Sequence, residues 1–308
     1  MKILIISPID AGAIKVLESK YDVIFSPNPS REKLIDLIVD QEVLIFRSGV
    51  DVDEDLMERA PKLRLLIRAG SGVDNVDLEY VSKRRLELVR VPEPGAKAVA
   101  EMTFALFLGL TRNLIEADRS MREADWAKYR LSGYLLIGKT LGVIGPGNIG
   151  GRVGSMGNAW GMNVIACDRK YTQEVANTLD KKGIRLTTFD EVIETADFIS
   201  LHVPLNDTTR HMINGEVLKR VKPSAILVNI ARGGVVDEAA LLEALQEKRL
   251  RGAALDVHEQ EGKGKLSPLA KLDNVILTPH IGAMTYDSQK EIGERVIEAC
   301  LKHSPLGV

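Results

Sequence analysis

Short apolar runs rich in β-branched residues alternate along the chain with stretches whose apolar positions recur at helical spacing. Parallel strands buried on both faces read as continuous apolar runs, each followed by a crossover helix, so this pattern predicts parallel-sheet α/β architecture. A first series of strands is expected at 2–7, 21–26, 43–48, 63–69 and 86–91, with helical stretches between them. A long helix is expected from about 98 to 121, and then a second series of strands at 140–144, 163–168, 184–187, 197–203, 225–230, 252–257 and 274–278. The last helical stretch, at about 287–302, follows the completed second sheet and is expected to pack back on the first series. The expected fold class is therefore α/β, with two doubly wound parallel-sheet domains. The first is discontinuous, 1–95 plus 286–308, and the second is 96–285.

A length of 308 residues suits two cores rather than one. With 45% hydrophobic and 27% charged residues, the composition is that of an ordinary globular protein. Lys+Arg 41 against Asp+Glu 43 gives a net charge of -2, which offers nothing electrostatic to nucleic acid or an anionic membrane. Cys167 and Cys300 lie in apolar surroundings without metal-ligand spacing, so no metal is expected and a reducing compartment is suggested. The opening "MKILIIS" is too short for a signal-peptide core and "MTFALFLGL" too short for a membrane span, which makes the cytoplasm the expected location.

The segment "TLGVIGPGNIGGRVG" (140–154) sets Gly145, Gly147 and Gly150 between an apolar strand and a helix in the spacing G-x-G-x-x-G. The next strand, "NVIACD", ends in Asp168, 18 residues after Gly150. Together these form a dinucleotide-binding signature: glycines permit the turn and the close approach of a pyrophosphate to a helix N-terminus, which Asn148 and Ile149 would open. A carboxylate at Asp168 can take both ribose hydroxyls and would repel a 2′-phosphate, which argues for NAD over NADP. Arg169 and Lys170 beside it argue the other way.

Polar side chains recur at the carboxyl ends of the expected strands: Arg47, Asp168, His202, Arg232, Asp256 and His280. Open α/β sheets bind ligands along that edge. Reduction of a 2-oxo acid puts negative charge on the carbonyl oxygen, which a protonated histidine can quench and a guanidinium can polarise while gripping the carboxylate. Arg232 in "VNIARGGVVD" and His280 in "NVILTPHIGAMT" fit those roles, although either could be a plain turn residue. A carboxylate bonded to the histidine would favour its charged form. On chemistry alone Glu261 and Glu259, both in "DVHEQEGKGK", are equal candidates for it. Asp256 is either a cofactor ligand or a turn cap. His202, in "SLHVP", with Val203 and Pro204 after it, suits the adenine side of the cofactor.

Taken together, "GVIGPGNIG", "DFISLHVPLNDTTRHMIN", "VNIARGGVVDEAALLEAL", "GAALDV" and "TPHIGAMT" make the chain similar to the D-isomer-specific 2-hydroxyacid dehydrogenases over nearly its whole length. The resemblance implies a flavodoxin-like substrate domain and a Rossmann NAD-binding domain. It implies that Arg232 binds and polarises the 2-oxo acid, that His280 donates the proton, and that Glu261 is the histidine's partner. NAD would meet Asn148, Ile149, Asp168, Ile230, Ala231, Asp256, and the backbone at Gly282 and Ala283. "FRSGVDV" resembles the 3-phosphoglycerate dehydrogenase branch, in which Arg47 and Ser48 would meet a phosphate, while the backbone at Ser71, Gly72 and Val73 would hold the substrate carboxylate. The chain departs from the family at Gly262, where proline usually follows the catalytic glutamate, at Pro146 inside the glycine loop, and at Gly95 and Ala96, where polar residues are common. It ends soon after His280, so feedback through a C-terminal serine-sensing domain is not expected.

The leading expectation is a short-type NAD-dependent 3-phosphoglycerate dehydrogenase of serine biosynthesis. Glycerate or glyoxylate/hydroxypyruvate as substrate is the alternative, with Arg47 then dispensable, and an NAD-sensing binding protein is the third. The resemblance also implies a homodimer through the NAD-binding domain, with the 98–121 helix and the 126–136 segment as contacts.

Overall fold

The computed structural model describes residues 1–304; positions 305–308, assigned above to the first domain, lie outside the described residues. The chain packs as two compact units, one of Met1–Gly95 with the segment from Ala283 onward, the other Ala96–Gly282.

In the first unit β1 (Lys2–Ile5), β2 (Asp22–Phe25), β3 (Val43–Phe46), β4 (Leu65–Arg68) and β5 (Glu87–Arg90) form a sheet in the order β2-β1-β3-β4-β5. All pairings are parallel. The central strands β3 and β4 are buried along their whole length, which is why they carry no polar alternation until Arg68. Helices on the two faces begin at side-chain caps that absorb an otherwise unpaired N–H, as Asp10 does for Ala13 and Asp77 for Tyr80. The helix Tyr286–Lys302, capped by Thr285, buries Ile292, Val296 and Cys300 with Ile3, Ile5 and Ile67 of this sheet.

In the second unit β6 (Thr140–Ile144), β7 (Asn163–Cys167), β8 (Arg185–Leu186), β9 (Phe198–Leu201), β10 (Ile226–Asn229), β11 (Gly252–Leu255) and β12 (Val275–Leu277) pair in parallel in the order β12-β11-β10-β9-β6-β7-β8. Each strand predicted from the pattern is present, shortened by up to three residues. Strand order reverses between β6 and β9 here and between β1 and β3 in the first unit, and such a reversal opens a crevice at the carboxyl edge of a doubly wound sheet.

The long helix expected at 98–121 is a correction. It starts earlier and is broken, as Glu93–Thr111 and Leu114–Arg122 bent by 60°. Asn113 adopts the left-handed conformation (φ 51°), and the Thr111 carbonyl accepts from the N–H of Tyr134 on the returning segment instead of extending the helix. Among the described residues no single helix is long and apolar enough to cross a membrane.

Candidate active site

In the second unit the glycine loop follows β6 at the reversal of strand order. Gly145 has φ 88°, and a Cβ there would stand 2.7 Å from the His202 carbonyl oxygen; one at Gly150 would stand 2.3 Å from the Gly145 carbonyl oxygen. A Cβ at Gly147 would meet nothing within 4 Å. Two glycines thus let the chain pack on itself, and the middle one faces open space, as close approach of a pyrophosphate requires. Helix Asn148–Ala159 starts there with Gly147 at its cap and no side chain on its first N–H groups, so its end fits an anion. Asp168 directly follows β7. Its Oδ1 accepts from the Lys170 N–H at 2.7 Å, and Oδ2 has no hydrogen-bond partner among the described residues, which suits a ribose diol.

After β9, His202 and Val203 lie against Gly145, with Pro204 following. The His202 Nε2 is 2.7 Å from Ser200 Oγ while its Nδ1 is buried without a partner. Burial pushes this imidazole down to about 3, which favours its neutral form. The residues at this crevice therefore fit NAD.

After β10, Asn229 clips the next turn: Oδ1 accepts from the Ala231 N–H at 3.1 Å and Nδ2 donates to the Arg232 carbonyl at 2.9 Å. Ile230 and Ala231 are buried, and Arg232 reaches back to the Ala231 carbonyl at 2.6 Å. A Cβ on Gly233 would be 1.8 Å from the His258 carbonyl oxygen, so only glycine lets the Arg232 turn lie against the segment after β11.

That segment carries Asp256, 1% exposed. Its Oδ1 accepts from the Thr278 hydroxyl (2.6 Å) and the Ile281 N–H (2.9 Å), its Oδ2 from the Gly282 N–H (2.8 Å), and its backbone carbonyl from the His280 N–H (2.7 Å). These contacts make Asp256 a turn clamp. They hold His280 at φ 55°, a conformation that costs a non-glycine residue energy. Ile230 also lies against Gly282. The Ala283 carbonyl accepts from Gln289 in the first unit.

The ambiguity between the two glutamates has a geometric answer. His280 Nδ1 is 2.9 Å from Glu261 Oε2, whereas Glu259 Oε1 is 2.9 Å from His211 Nε2. Partial burial opposes ionisation of Glu261, but the His280 hydrogen bond and charge, with the His258 N–H, outweigh it and hold the carboxyl below its ordinary value. With Nδ1 turned to Glu261, Nε2 is the ring atom left to exchange a proton.

In the first unit Arg47 and Ser48 follow β3, and Ser71, Gly72 and Val73 follow β4. Asn75 joins the two loops by donating to the Val50 carbonyl and, at 3.4 Å, to that of Arg47. The Arg47 N–H donates to Ser7 Oγ at 2.9 Å, and its guanidinium reaches Gln289 Oε1 at 2.6 Å and Met284 Sδ at 3.4 Å. Both of those partners are neutral, and burial lowers the guanidinium from its usual value. Ser48 and Ser71 are exposed. Sequence reasoning missed Arg68. It lies 6% exposed at the end of β4, over the Phe46 ring, with Nε donating to the Gly72 carbonyl at 2.7 Å, and so supports the 71–73 loop. The strand-end rule that singled out Arg47 applies to it equally.

Two outcomes follow. Gly233→Ala must displace either the Arg232 turn or the His258 carbonyl, so a loss of about 1–3 kcal/mol in denaturant melts is expected, with reduced turnover; native values for both would remove the close-approach argument. Because the Glu261 carboxyl titrates below its ordinary value, its pairing is fully present above the ordinary carboxylate range and lost as pH falls through the lowered one. The gap in Tm between the protein and Glu261→Gln should therefore close as pH falls toward that lowered value, and a gap that does not change with pH would contradict the pairing.

Residues 104–282 match the family model described as D-isomer specific 2-hydroxyacid dehydrogenase, NAD binding domain. The chain is 44% identical over 303 residues to a D-3-phosphoglycerate dehydrogenase of Methanocaldococcus jannaschii, covering 98% of this chain and 57% of that protein. It is 37% identical to a hydroxypyruvate reductase of Thermotoga maritima, covering 96% of this chain and 95% of the relative. The crystal structure of a D-lactate dehydrogenase from Aquifex aeolicus, complexed with NAD and lactic acid, superposes with a TM-score of 0.86 at 30% identity, covering 97% of this chain and 94% of that one. The chain spans little more than half the length of the D-3-phosphoglycerate dehydrogenases it matches. Its glycine loop, its strand order and these likenesses agree, and the chain belongs to the D-isomer-specific 2-hydroxyacid dehydrogenases, with an NAD-binding domain at its centre.

Proposed function

We propose that the protein is an NAD-dependent oxidoreductase acting between a D-2-hydroxy acid and the 2-oxo acid, with 3-phosphoglycerate and 3-phosphohydroxypyruvate as the pair and serine biosynthesis as the setting. The observation that carries this reading is the His280–Glu261 pair, 2.9 Å apart, on the same unit and sheet edge as Arg232 and the glycine loop. When bound, the nicotinamide supplies or takes up the hydride. Arg232 grips the acid's carboxylate and polarises its carbonyl, and His280 passes the proton held at Nε2 to the carbonyl oxygen as charge develops there. Glu261 fixes the tautomer through Nδ1 and stabilises the imidazolium before transfer. In the oxidative direction the neutral imidazole takes the proton back. In this reading the Gly145–Gly150 loop and the helix opened by Asn148 and Ile149 take the pyrophosphate, Asp168 the ribose, and His202 to Pro204 the adenine side. Ile230, Ala231 and the backbone from Gly282 flank the nicotinamide, and Asp256 positions that backbone while keeping an acceptor site on Oδ2 for the carboxamide.

On the Met1–Gly95 unit, taken by itself, backbone N–H groups at Ser71, Gly72 and Val73 suit a carboxylate, and Arg47 and Ser48 suit a phosphate. A half-buried guanidinium with only neutral partners is a strong anion ligand, which favours the phosphorylated acid. The hydroxypyruvate reductase relative, matched over 95% of its length, favours the second reading, the same chemistry on an unphosphorylated acid. The exposed apolar side chains Ile115, Met121, Trp126, Tyr129 and Leu135 support a homodimer through the NAD-binding unit. A cytoplasmic location accompanies this function.

NADH oxidation with 3-phosphohydroxypyruvate, hydroxypyruvate and glyoxylate in parallel tests the assignment. His280→Ala should lower kcat by ~10²–10⁴-fold, the range for losing a positioned acid or base; near-normal turnover would remove the role. Arg47→Ala should raise KM for the phosphorylated acid alone, and equal effects on all three acids would move the protein to the second reading.

A further inference from the structure

Glu261 sits in the glycine-rich loop 260–266, whose residues are nearly all exposed. The loop arches over a hollow of about 530 Å³ bounded by Leu277, Thr278, Pro279 and His280, so packing beneath does little to fix it. Gly262 (φ 115°) and Gly264 (φ 82°) add freedom, and Gly262 stands at a backbone angle no proline can adopt. A carboxylate that must stay 2.9 Å from His280 therefore rides on a segment with little stiffness of its own.

Both ends of that loop are tied to one buried side chain. Glu238, 3% exposed, is the first residue of helix Glu238–Gln246. Its Oε1 accepts from the Glu259 N–H at 2.7 Å, on the side where the loop begins, and its Oε2 accepts from the Ser267 hydroxyl at 3.1 Å, where the loop ends. The first tie is doubled, since Glu259 Oε1 accepts from the Glu238 N–H at 3.3 Å, one of the helix's unpaired donors. A carboxylate in the first turn of a helix is stabilised there by the helix dipole.

We propose that Glu238 is a positioning residue for the proton-transfer pair: one carboxylate fixes both feet of the loop that carries Glu261 and thereby sets the His280–Glu261 hydrogen bond. This rests on the roles given above to His280 and Glu261. Glu238 touches neither of them; it acts through Glu259 and Ser267. A structural role alone would cost stability and leave the pair's signature unchanged.

The test compares Glu238→Ala, Glu238→Gln and Ser267→Ala with Glu261→Gln, in the full chain. In the cofactor-free protein, the downfield NMR resonance of the His280 Nδ1 proton reports the hydrogen bond to Glu261. It should weaken or vanish in Glu238→Ala as in Glu261→Gln. Glu238→Gln, whose amide keeps the Glu259 contact and can donate to Ser267, should restore it in part. In NADH-dependent reduction of the acid selected by the parallel assay, Glu238→Ala should lower kcat by about 10- to 100-fold, as a misplaced catalytic group does, with KM for NADH within about twofold. Added to Glu261→Gln, the substitution should cause no further loss, because the two act on one step. An unchanged Nδ1 resonance, or losses that multiply in the double variant, would overturn the proposal. If Glu238→Ala does not fold, Ser267→Ala decides: a weaker resonance supports the tie and an unchanged one refutes it. A normal kcat in His280→Ala would instead strike the underlying assignment, while the resonance would still report whether Glu238 sets the pair.

Discussion

The geometry of this site depends on one buried carboxylate. Asp256 gathers the Thr278 hydroxyl and the Ile281 and Gly282 N–H groups on its two oxygens. In a dry interior each of those groups would be costly to leave unpaired, so the turn after β12 has one arrangement that satisfies all of them. That arrangement forces His280 into a left-handed backbone conformation and aims Nδ1 at Glu261. Strain at a single residue persists because several hydrogen bonds to one acceptor outweigh it.

The second constraint is topological. In each sheet the connections leave in opposite directions from two adjacent central strands, β6 and β9 in one and β1 and β3 in the other, so no crossover covers the edge between them. The glycine loop and His202 flank that opening in the second unit; Ser7 and Arg47 flank it in the first. Close packing is what gives the loops their sequences. Gly145 and Gly150 are glycines because backbone lies where a Cβ would go, and Gly233 for the same reason beside Arg232.

Elements and candidate chemistry were legible because both follow from local rules. Buried parallel strands must be apolar, glycine spacing reports a tight turn, and polar residues at strand ends mark the ligand edge. Groups that act through distant backbone were harder to read. Nothing near Asp256 in the sequence shows that donors 22 to 26 residues on converge upon it, so its clamp role stood level with a cofactor role. Arg68 reads as the end of an apolar strand until the Gly72 carbonyl is placed beside it. The break at Asn113 depends on Tyr134 taking the Thr111 carbonyl, a tertiary contact that overrides good helical periodicity. Chemistry alone left Glu259 and Glu261 level and the family resemblance pointed to Glu261; the coordinates add that two glutamates two residues apart in one loop face different histidines.

Those two histidine–glutamate pairs divide the labour of the loop. Glu259 bonds to His211 and to the N–H of Glu238, so it anchors the loop to the start of a helix. Glu261 bonds to His280 and to the His258 N–H, so it faces the site. Gly262 follows Glu261, and the hydrogen bonds that hold this loop to the helix lie at its ends. Such bonds hold the ends of the loop while leaving its middle, with Glu261, free to adjust around His280. A loop with glycine after Glu261 is thus anchored by buried polar ties at its two ends rather than by backbone restriction.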